Sequence, residues 1–483
     1  MNGIYFLTNK HFLKLIISIG IFFLLSACGG GGGGDSDTQS DELPLELGLD
    51  GPGDTGGYFP LEVGNLWVFR GTSFSSSGSL DYYHNTISIN KTKNIDGFDA
   101  LVLEETNSYG EGVFESYIFK DLNGIANLGS SDEGALGVQI SKYWEGRFPL
   151  VVGESFVQLD RTGLNLGEDL DGDDINDSFD IRSVVKVIGF TDNKEVPVGT
   201  FNNVVHIRRN LNLDFILSSE PDLISATAQE DSYFAADIGF LERTLSITID
   251  GVTENFREQL AAYLVNGQSA GLNQVANSVI ADQVDLEEEI YYLFDVFPET
   301  DQTVSMAGLT GNADLIPILP GNCKQDYTER SDTYPEDCQI TSTSNRVIFA
   351  VSGLESSEYV LSIAKTPNVP FPKNEGLSNA PVVIQQNIST VGEVGPGGVS
   401  YYNSTALLFG NHLVSISGLN ADADLGVYSD ETYSTELGCT LNLPRDLDNS
   451  PEDCIVENVN KIFFRVQSGE LNGDGASYII LVR

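Results

Sequence analysis

The sequence predicts an all-β protein, an antiparallel β domain at the N-terminus followed by two copies of a smaller β unit. Three observations carry this expectation. Segments of alternating apolar and polar residues recur from residue 58 to about 265, separated by Gly, Asn and Asp. Asp250-Gly251 stands between the strand-like runs Leu245–Ile249 and Val252–Phe256, and Asp-Gly supplies the positive φ that a tight hairpin turn needs. The C-terminal half repeats its own motifs at a spacing of 110 residues.

In chain order, the first element is a short basic region, Lys10 and Lys14, followed by the apolar run Leu15–Leu25. The run is too short to span a bilayer as a permanent helix and suits the core of a signal peptide. Leu25-Ser26-Ala27-Cys28 follows it directly. This arrangement resembles the lipobox of bacterial lipoproteins: residues 1–27 are cleaved, and the Cys28 thiol takes the lipid and becomes the mature N-terminus. Gly29 rather than Asp after the cysteine implies, by the same resemblance, an outer-membrane lipoprotein facing the periplasm or the cell surface. The reading that competes with it is an ordinary signal peptide with a chance cysteine. Residues 28–57, rich in Gly, Asp, Ser and Pro, read as a lipidated flexible tether.

Composition narrows the function classes. Loss of Lys10 and Lys14 with no acid takes the formal charge from −45 to −47. Such a surface repels nucleic acid and anionic headgroups, so nucleic acid is excluded as a partner and the membrane is met only through the lipid. A hydrophobic content of 41% is that of a folded chain. Only His84, His206 and His412 remain after cleavage, in separate segments, each read as a core or surface histidine. A zinc or serine-hydrolase site therefore has little material.

Residues 58–265 read as one antiparallel domain. Its phrases YFPLEVGNLWVF, VPVGTFNNVVHI and YFAADIGFLERT resemble the N-terminal domain of many bacterial lipoproteins, some of which look like the curved half-barrels of lipoprotein carriers. The resemblance implies an antiparallel sheet or half-barrel and brings no catalytic motif.

In the C-terminal half, Tyr291-Tyr292 matches Tyr401-Tyr402, Val304–Leu309 matches Val414–Leu419, and Ala313-Asp314-Leu315 matches Ala423-Asp424-Leu425. Pro335-Glu336-Asp337-Cys338 matches Pro451-Glu452-Asp453-Cys454, where the offset has grown from 110 to 116 residues. The cysteines sit at equivalent places in the copies, so Cys323–Cys338 and Cys439–Cys454 is the expected pairing among the three that four cysteines allow. The order of these motifs resembles the bacterial pre-peptidase C-terminal domain over residues 279–366 and 389–483, with a proline-rich linker at 367–388. The resemblance implies two jelly-roll-like β-sandwiches with an accessory, non-catalytic role, such as binding polysaccharide or a matrix protein. Both copies depart from the family's pattern before the closing strands, at Asn345-Arg346 and Asn460-Lys461. Tyr428 and Tyr433 are candidates for stacking on sugar rings, with strand filler as the alternative.

One constellation carries inorganic chemistry. Asp169, Asp171, Asp173, Asp177 and Asp180 occupy positions 1, 3, 5, 9 and 12 of a twelve-residue loop, and Ile175 at position 7 offers a carbonyl. The spacing follows the EF-hand loop and resembles the Asp-rich loops of thrombospondin type 3 repeats, which implies Ca2+ held by hard oxygens. It departs at position 6, where Asp174 replaces the usual glycine, and at position 12, where Asp180 is shorter than glutamate. A solvated acidic loop is the alternative.

Function then reduces to three readings: an anchored binding or structural lipoprotein, a hydrolase working through paired carboxylates, and a periplasmic lipid carrier. Glu104-Glu105 and Glu287–Glu289 read as surface charge among the 70 acids. A dry concave pocket in 58–265 favours the carrier, and a buried carboxylate pair in a cleft favours the enzyme.

Overall fold

The computed structural model describes residues 56–482 apart from 75–77, 108–112, 132–138, 168, 220–222, 250, 276–278, 297–300, 308, 320–322, 324, 327–335, 343–344, 366–380, 386–389, 395–397, 406, 408–409, 418–422, 438–451 and 469–475. The chain is all-β and divides into two compact units after Gly271.

The first half of unit one supplies β1 (Leu66–Phe74), β2 (Leu80–Ile95), β3 (Phe98–Asn107), β4 (Phe114–Lys120), β5 (Gly124–Ser130), β6 (Tyr143–Arg147) and β7 (Ser155–Asn165). The second half supplies β8 (Ser178–Thr191), β9 (Lys194–Val196), β10 (Gly199–Phe201), β11 (Val204–Ile216), β12 (Leu223–Ala235), β13 (Gly239–Ile249), β14 (Val252–Val265) and β15 (Gln268–Ala270). The expected pairing of the two strands forms: Ile249 faces Val252, and Gly251 has φ +79°. One antiparallel sheet runs β6-β5-β4-β3-β2-β1-β14-β13-β12-β11-β8-β7. The distant strands β1 and β14 close its middle, with Leu66 opposite Leu264. Its two edges are the consecutive strands β6 and β7, and side chains reach across them. Gln158 Nε2 donates to Trp144 O at 3.2 Å, and Arg161 Nη2 donates to Ser141 O at 3.0 Å. The expected half-barrel is thus nearly closed.

Alternation sets what the sheet encloses. On β11 the inward positions are Val205, Ile207, Arg209, Leu211, Leu213 and Phe215, and on β12 they are Phe234, Ser232, Glu230, Ala228 and Ala226. Leu211, Leu213 and Phe215 join Leu159, Phe179, Ile181 and Ile247 in one apolar cluster. Val205 and Ile207 join Tyr58, Phe59, Ile118 and Phe148 in another. The charged positions lie between them, so unit one has two apolar layers with a polar layer in the middle.

Unit two contains the repeats. The first comprises β16 (Leu272–Val275), β17 (Val279–Val284), β18 (Glu289–Asp295), β19 (Asp301–Ala307), β20 (Ala313–Leu319), β21 (Gln325–Asp326), β22 (Glu336–Thr341), β23 (Arg346–Gly353) and β24 (Ser357–Lys365). The second comprises β25 (Val382–Ile384), β26 (Thr390–Val394), β27 (Val399–Ser404), β28 (Gly410–Ser417), β29 (Ala423–Tyr428), β30 (Glu452–Val459), β31 (Phe463–Ser468) and β32 (Ala476–Val482). Sheet orders correspond strand for strand: β16-β18-β23-β20 with β25-β27-β31-β29, and β17-β24-β19-β22 with β26-β32-β28-β30. In each copy the first strand lies parallel to the Tyr-Tyr strand.

The repeated motifs meet inside this fold. The hydroxyls of Tyr292 and Tyr359 lie 2.5 Å apart, and those of Tyr402 and Tyr478 lie 2.8 Å apart. Each pair joins the two sheets of its copy, with rings edge-on at 6.4 Å. A Cβ on Gly392, which stands opposite Tyr478, would meet the Tyr402 hydroxyl at 2.6 Å, so only glycine fits there. In the first copy the position opposite Tyr359 is Asp282, and Tyr292 donates to its Oδ2 at 2.7 Å. Buried Glu336 accepts the Leu315 N–H at 2.6 Å, which ties the Pro-Glu-Asp-Cys motif to Ala-Asp-Leu. Cys323 and Cys338 are joined by a disulfide. Cys454 is also disulfide-bonded, and Cys439 lies outside the described residues.

Two boundaries differ from expectation. The expected linker 367–388 contains β25, and β16 precedes the expected start at 279. Both are three- or four-residue strands that gain their hydrogen bonds by lying beside the Tyr-Tyr strand, too short to show a period of their own.

Candidate functional site

The interior of unit one holds an ionic belt. Arg209 donates through Nη2 to Glu145 Oε2 at 2.8 Å and through Nη1 to Glu230 Oε2 at 3.1 Å. Ser232 Oγ adds a bond to Glu230 Oε1 at 2.6 Å. Gln158 Nε2 and the Tyr143 hydroxyl both reach Glu145. Further round the sheet, Arg243 Nη2 donates to Glu258 Oε2 at 2.6 Å. The Tyr83 hydroxyl donates to Glu258 Oε1 at 3.0 Å. Tyr83 reaches Glu258 because its cross-strand neighbour is Gly71, where a Cβ would lie 2.3 Å from the ring. Asn85 Nδ2 bridges Glu258 and Glu105 at 3.3 and 2.5 Å.

Glu105, read from sequence as surface charge, is buried in this belt. That expectation is corrected: Glu104 and Glu105 face opposite sides of β3, and only Glu104 meets Lys91, at 3.1 Å. The belt contains four carboxyl groups and two guanidiniums, so full ionisation would leave a buried excess of negative charge. The structure relieves this on the carboxyl side. Burial pushes Glu105 up to about 8, reinforced by Glu258 and opposed by Arg243 and the Asn85 hydrogen bond. Burial also raises Glu145, against the pull of Arg209.

Between the belt and the segment 58–61 lies a cavity of about 130 Å3. Its walls are apolar and include Trp67, Leu103, Ile118, Ile207, Phe234 and Phe240, while Glu145, Arg209, Glu230 and Ser232 line its polar part. The segment 58–61 lines the opposite end and is held there by several contacts. The Tyr58 hydroxyl donates to Asn203 O at 3.0 Å, Lys120 Nζ to Phe59 O at 2.9 Å, and Asn65 Nδ2 to Pro60 O at 2.5 Å. Phe59 packs on Phe234 with centroids 4.8 Å apart. Phe234 and Glu230 stand four residues apart on one face of β12, a span of about 13 Å.

The acidic loop joins β7 to β8. Asp169 folds it, its carboxylate accepting the N–H groups of Gly172, Asp173 and Asp174 at 2.6, 3.2 and 2.7 Å. Asp174 at position 6 has φ +67°, so it makes the left-handed turn in place of glycine, a conformation Asp tolerates better than most side chains. Ligand atoms of Asp169, Asp171 and Asp177 lie within 4.8 Å of one another. Asp171 Oδ2 accepts from Ser219 N and Oγ at 2.9 and 2.7 Å, which holds its carboxyl below the usual range. Its Oδ1 is shielded from solvent. Asp173 and Asp180 lie outside this cluster of carboxylates. Asp173 Oδ1 accepts from Ser218 Oγ, Ile175 N donates to Asp173, and Asp180 lies in β8 with Oδ1 accepting from Gly163 N at 2.8 Å.

The remaining candidates are structural. His84 and His412 are buried, and His206 stacks on Tyr233 with Nε2 2.5 Å from Asp231 Oδ1. Tyr428 is buried against Tyr433, so its face is not open to a sugar. Cys28 lies outside the described residues.

No protein-family model and no curated protein sequence matches the chain. Among solved structures, a protein from Bacteroides fragilis NCTC 9343, described as exported with a YmcC-like fold, is 12% identical. The match covers 42% of this chain and 96% of that one, with a TM-score of 0.22. A protein from Parabacteroides distasonis ATCC 8503, described as a lipoprotein, has the same identity and TM-score over 42% of this chain and 97% of its own.

Proposed function

We propose that this chain is an exported lipoprotein, anchored by lipid on Cys28, that works by binding and not by catalysis. The observation that carries the reading is the cavity of unit one, apolar on most of its wall and lined at one end by the segment that follows the tether. The arrangement fits a carrier of an apolar ligand held near the outer membrane. The sandwiches of unit two then serve as accessory modules toward polysaccharide or protein. Among the described residues the carboxylate pair at the cavity, Glu145 and Glu230, is committed to a single guanidinium. A glycosidase-like pair needs one carboxyl free to meet the substrate.

One experiment separates anchor from cavity. The native chain should take up radiolabelled palmitate and enhance the fluorescence of N-phenyl-1-naphthylamine, an apolar probe. Cys28→Ala should lose the label and keep the enhancement. Ile207→Trp, which fills the cavity, should keep the label and lose the enhancement. An Ile207→Trp chain that still lights the probe would falsify the cavity reading, and label on Cys28→Ala would refute the anchor.

Asp169, Asp171 and Asp177 would hold Ca2+, whose contribution is to neutralise and order the β7–β8 loop. Calcium should raise the melting temperature of the mature chain by a few degrees, since ligand at a hundred times Kd stabilises by about 2.7 kcal/mol. Asp171→Ala should abolish the rise, and an unchanged response in that variant would remove the site.

A further inference from the structure

The cavity's polar end selects what its ligand carries. On β12, Phe234, Ser232 and Glu230 follow one another along the inner face, so the surface passes from aromatic to ionic over about 13 Å. At the ionic end Arg209 is the only cation lining the cavity among the described residues, and both of its arms are taken by carboxylates, at 2.8 and 3.1 Å. The set Glu145–Arg209–Glu230 therefore carries one more acid than base. Its second guanidinium neighbour round the sheet, Arg243, is directed to Glu258. The segment 58–61 at the opposite end brings aromatic and aliphatic side chains to the cavity and no acid or base.

We infer that the cavity takes a slender alkyl chain head-first, and that it accepts a neutral hydrogen-bond-donating or cationic head while rejecting an anionic one. The inference rests on the ligand-binding reading above and names its substrate class. The chemistry follows from what the floor offers. Glu145 and Glu230 are held by Arg209, but each carboxylate oxygen keeps a second lone pair that can accept from a hydroxyl or an ammonium. A fatty-acid carboxylate would bring a further negative charge into a low-dielectric space whose one guanidinium is already doubly engaged. Burial raises the affinity of Glu145 for its proton, with Arg209 opposing the rise and the charge of Glu230 adding to it.

The test is competition on the native chain, with N-phenyl-1-naphthylamine as reporter and decanol, decylamine and decanoate as competitors at neutral pH. Decanol and decylamine should displace the probe, and decanoate should be at least ten-fold weaker. In Glu145→Gln, which removes one acid and keeps the acceptor, the gap between decanoate and decanol should close to within about three-fold. Equal displacement by all three in the native chain, or a gap that Glu145→Gln leaves unchanged, would overturn the head-group selection while leaving the cavity a binding site. Failure of the probe itself to bind, or of every decyl competitor to displace it, would overturn both readings.

Discussion

Arg209→Met should destabilise unit one by about 3–5 kcal/mol, the largest single-residue effect expected in this protein. Methionine fills much of the arginine's volume, so little of this loss comes from packing. It comes from Glu145 and Glu230, which are left in a space with almost no solvent once their shared partner is gone. At roughly 2–4 °C per kcal/mol for a unit of this size, the transition should fall by about 10 °C. Removing the acids as well should restore most of it. The triple variant Arg209→Met, Glu145→Gln, Glu230→Gln has no buried charge at this point, and its stability should lie within about 1.5 kcal/mol of the native chain. Thermal unfolding of the two variants checks the claim. If the triple variant is as unstable as Arg209→Met, packing and not electrostatics explains the loss.

The second large effect is on pH dependence. Glu105 is held protonated by its burial, up to about 8 against an ordinary value of 4.5. In the unfolded chain it ionises at the ordinary value, so between these limits the folded state binds more protons than the unfolded one. Stability therefore falls as pH rises through this window, and the contribution of Glu105 is fully present only below 4.5. At about 1.4 kcal/mol for each unit of displacement, the loss amounts to several kcal/mol by the upper end. Glu145, raised for the same reason, adds to the trend in the same direction. Glutamine reproduces the protonated carboxyl and can still accept from Asn85, so Glu105→Gln should flatten the slope. Melting curves across the window check this, and a variant with the native slope would show that another group sets it.

Much of the architecture was legible because its signals are local. The hairpin at Asp250-Gly251 needs only four residues to declare itself, and its register is the one expected. The two sandwiches were visible as repeated motifs, and the structure shows why these motifs recur together: Leu315 and Glu336 are hydrogen-bonded, and Tyr292 meets Tyr359 across the two sheets. The belt was not legible for the opposite reason. Its members come from β2, β3, β6, β7 and β11 to β14, and in a chain with 70 acids each of its carboxylates reads as solvated surface. A signal was nevertheless present in phase. Arg209 alternates with Leu211, Leu213 and Phe215, Arg243 with Leu245, Ile247 and Ile249, and Glu258 with Leu260. A charge standing on the apolar side of an alternating strand must be buried, and a buried charge must have a partner. The acidic loop shows the limit of spacing arguments. Carboxylates at positions 1, 3, 5, 9 and 12 followed the EF-hand spacing, yet among the described carboxylates only Asp169, Asp171 and Asp177 bring ligand atoms within 4.8 Å of one another, and strand β8, which begins before position 12, carries Asp180 into the sheet.

The reading as an anchored ligand carrier depends above all on an apolar molecule entering unit one beside Trp67. The chain has two tryptophans, Trp67 and Trp144, so Trp144→Phe leaves Trp67 as the single reporter in the cavity wall. Titrating this variant with a brominated alkyl alcohol should quench its fluorescence to saturation, and the equivalent unbrominated alcohol should reverse the quenching. Trp67 emission that stays unquenched in the folded variant, at concentrations where the alcohol remains monomeric, would contradict the account.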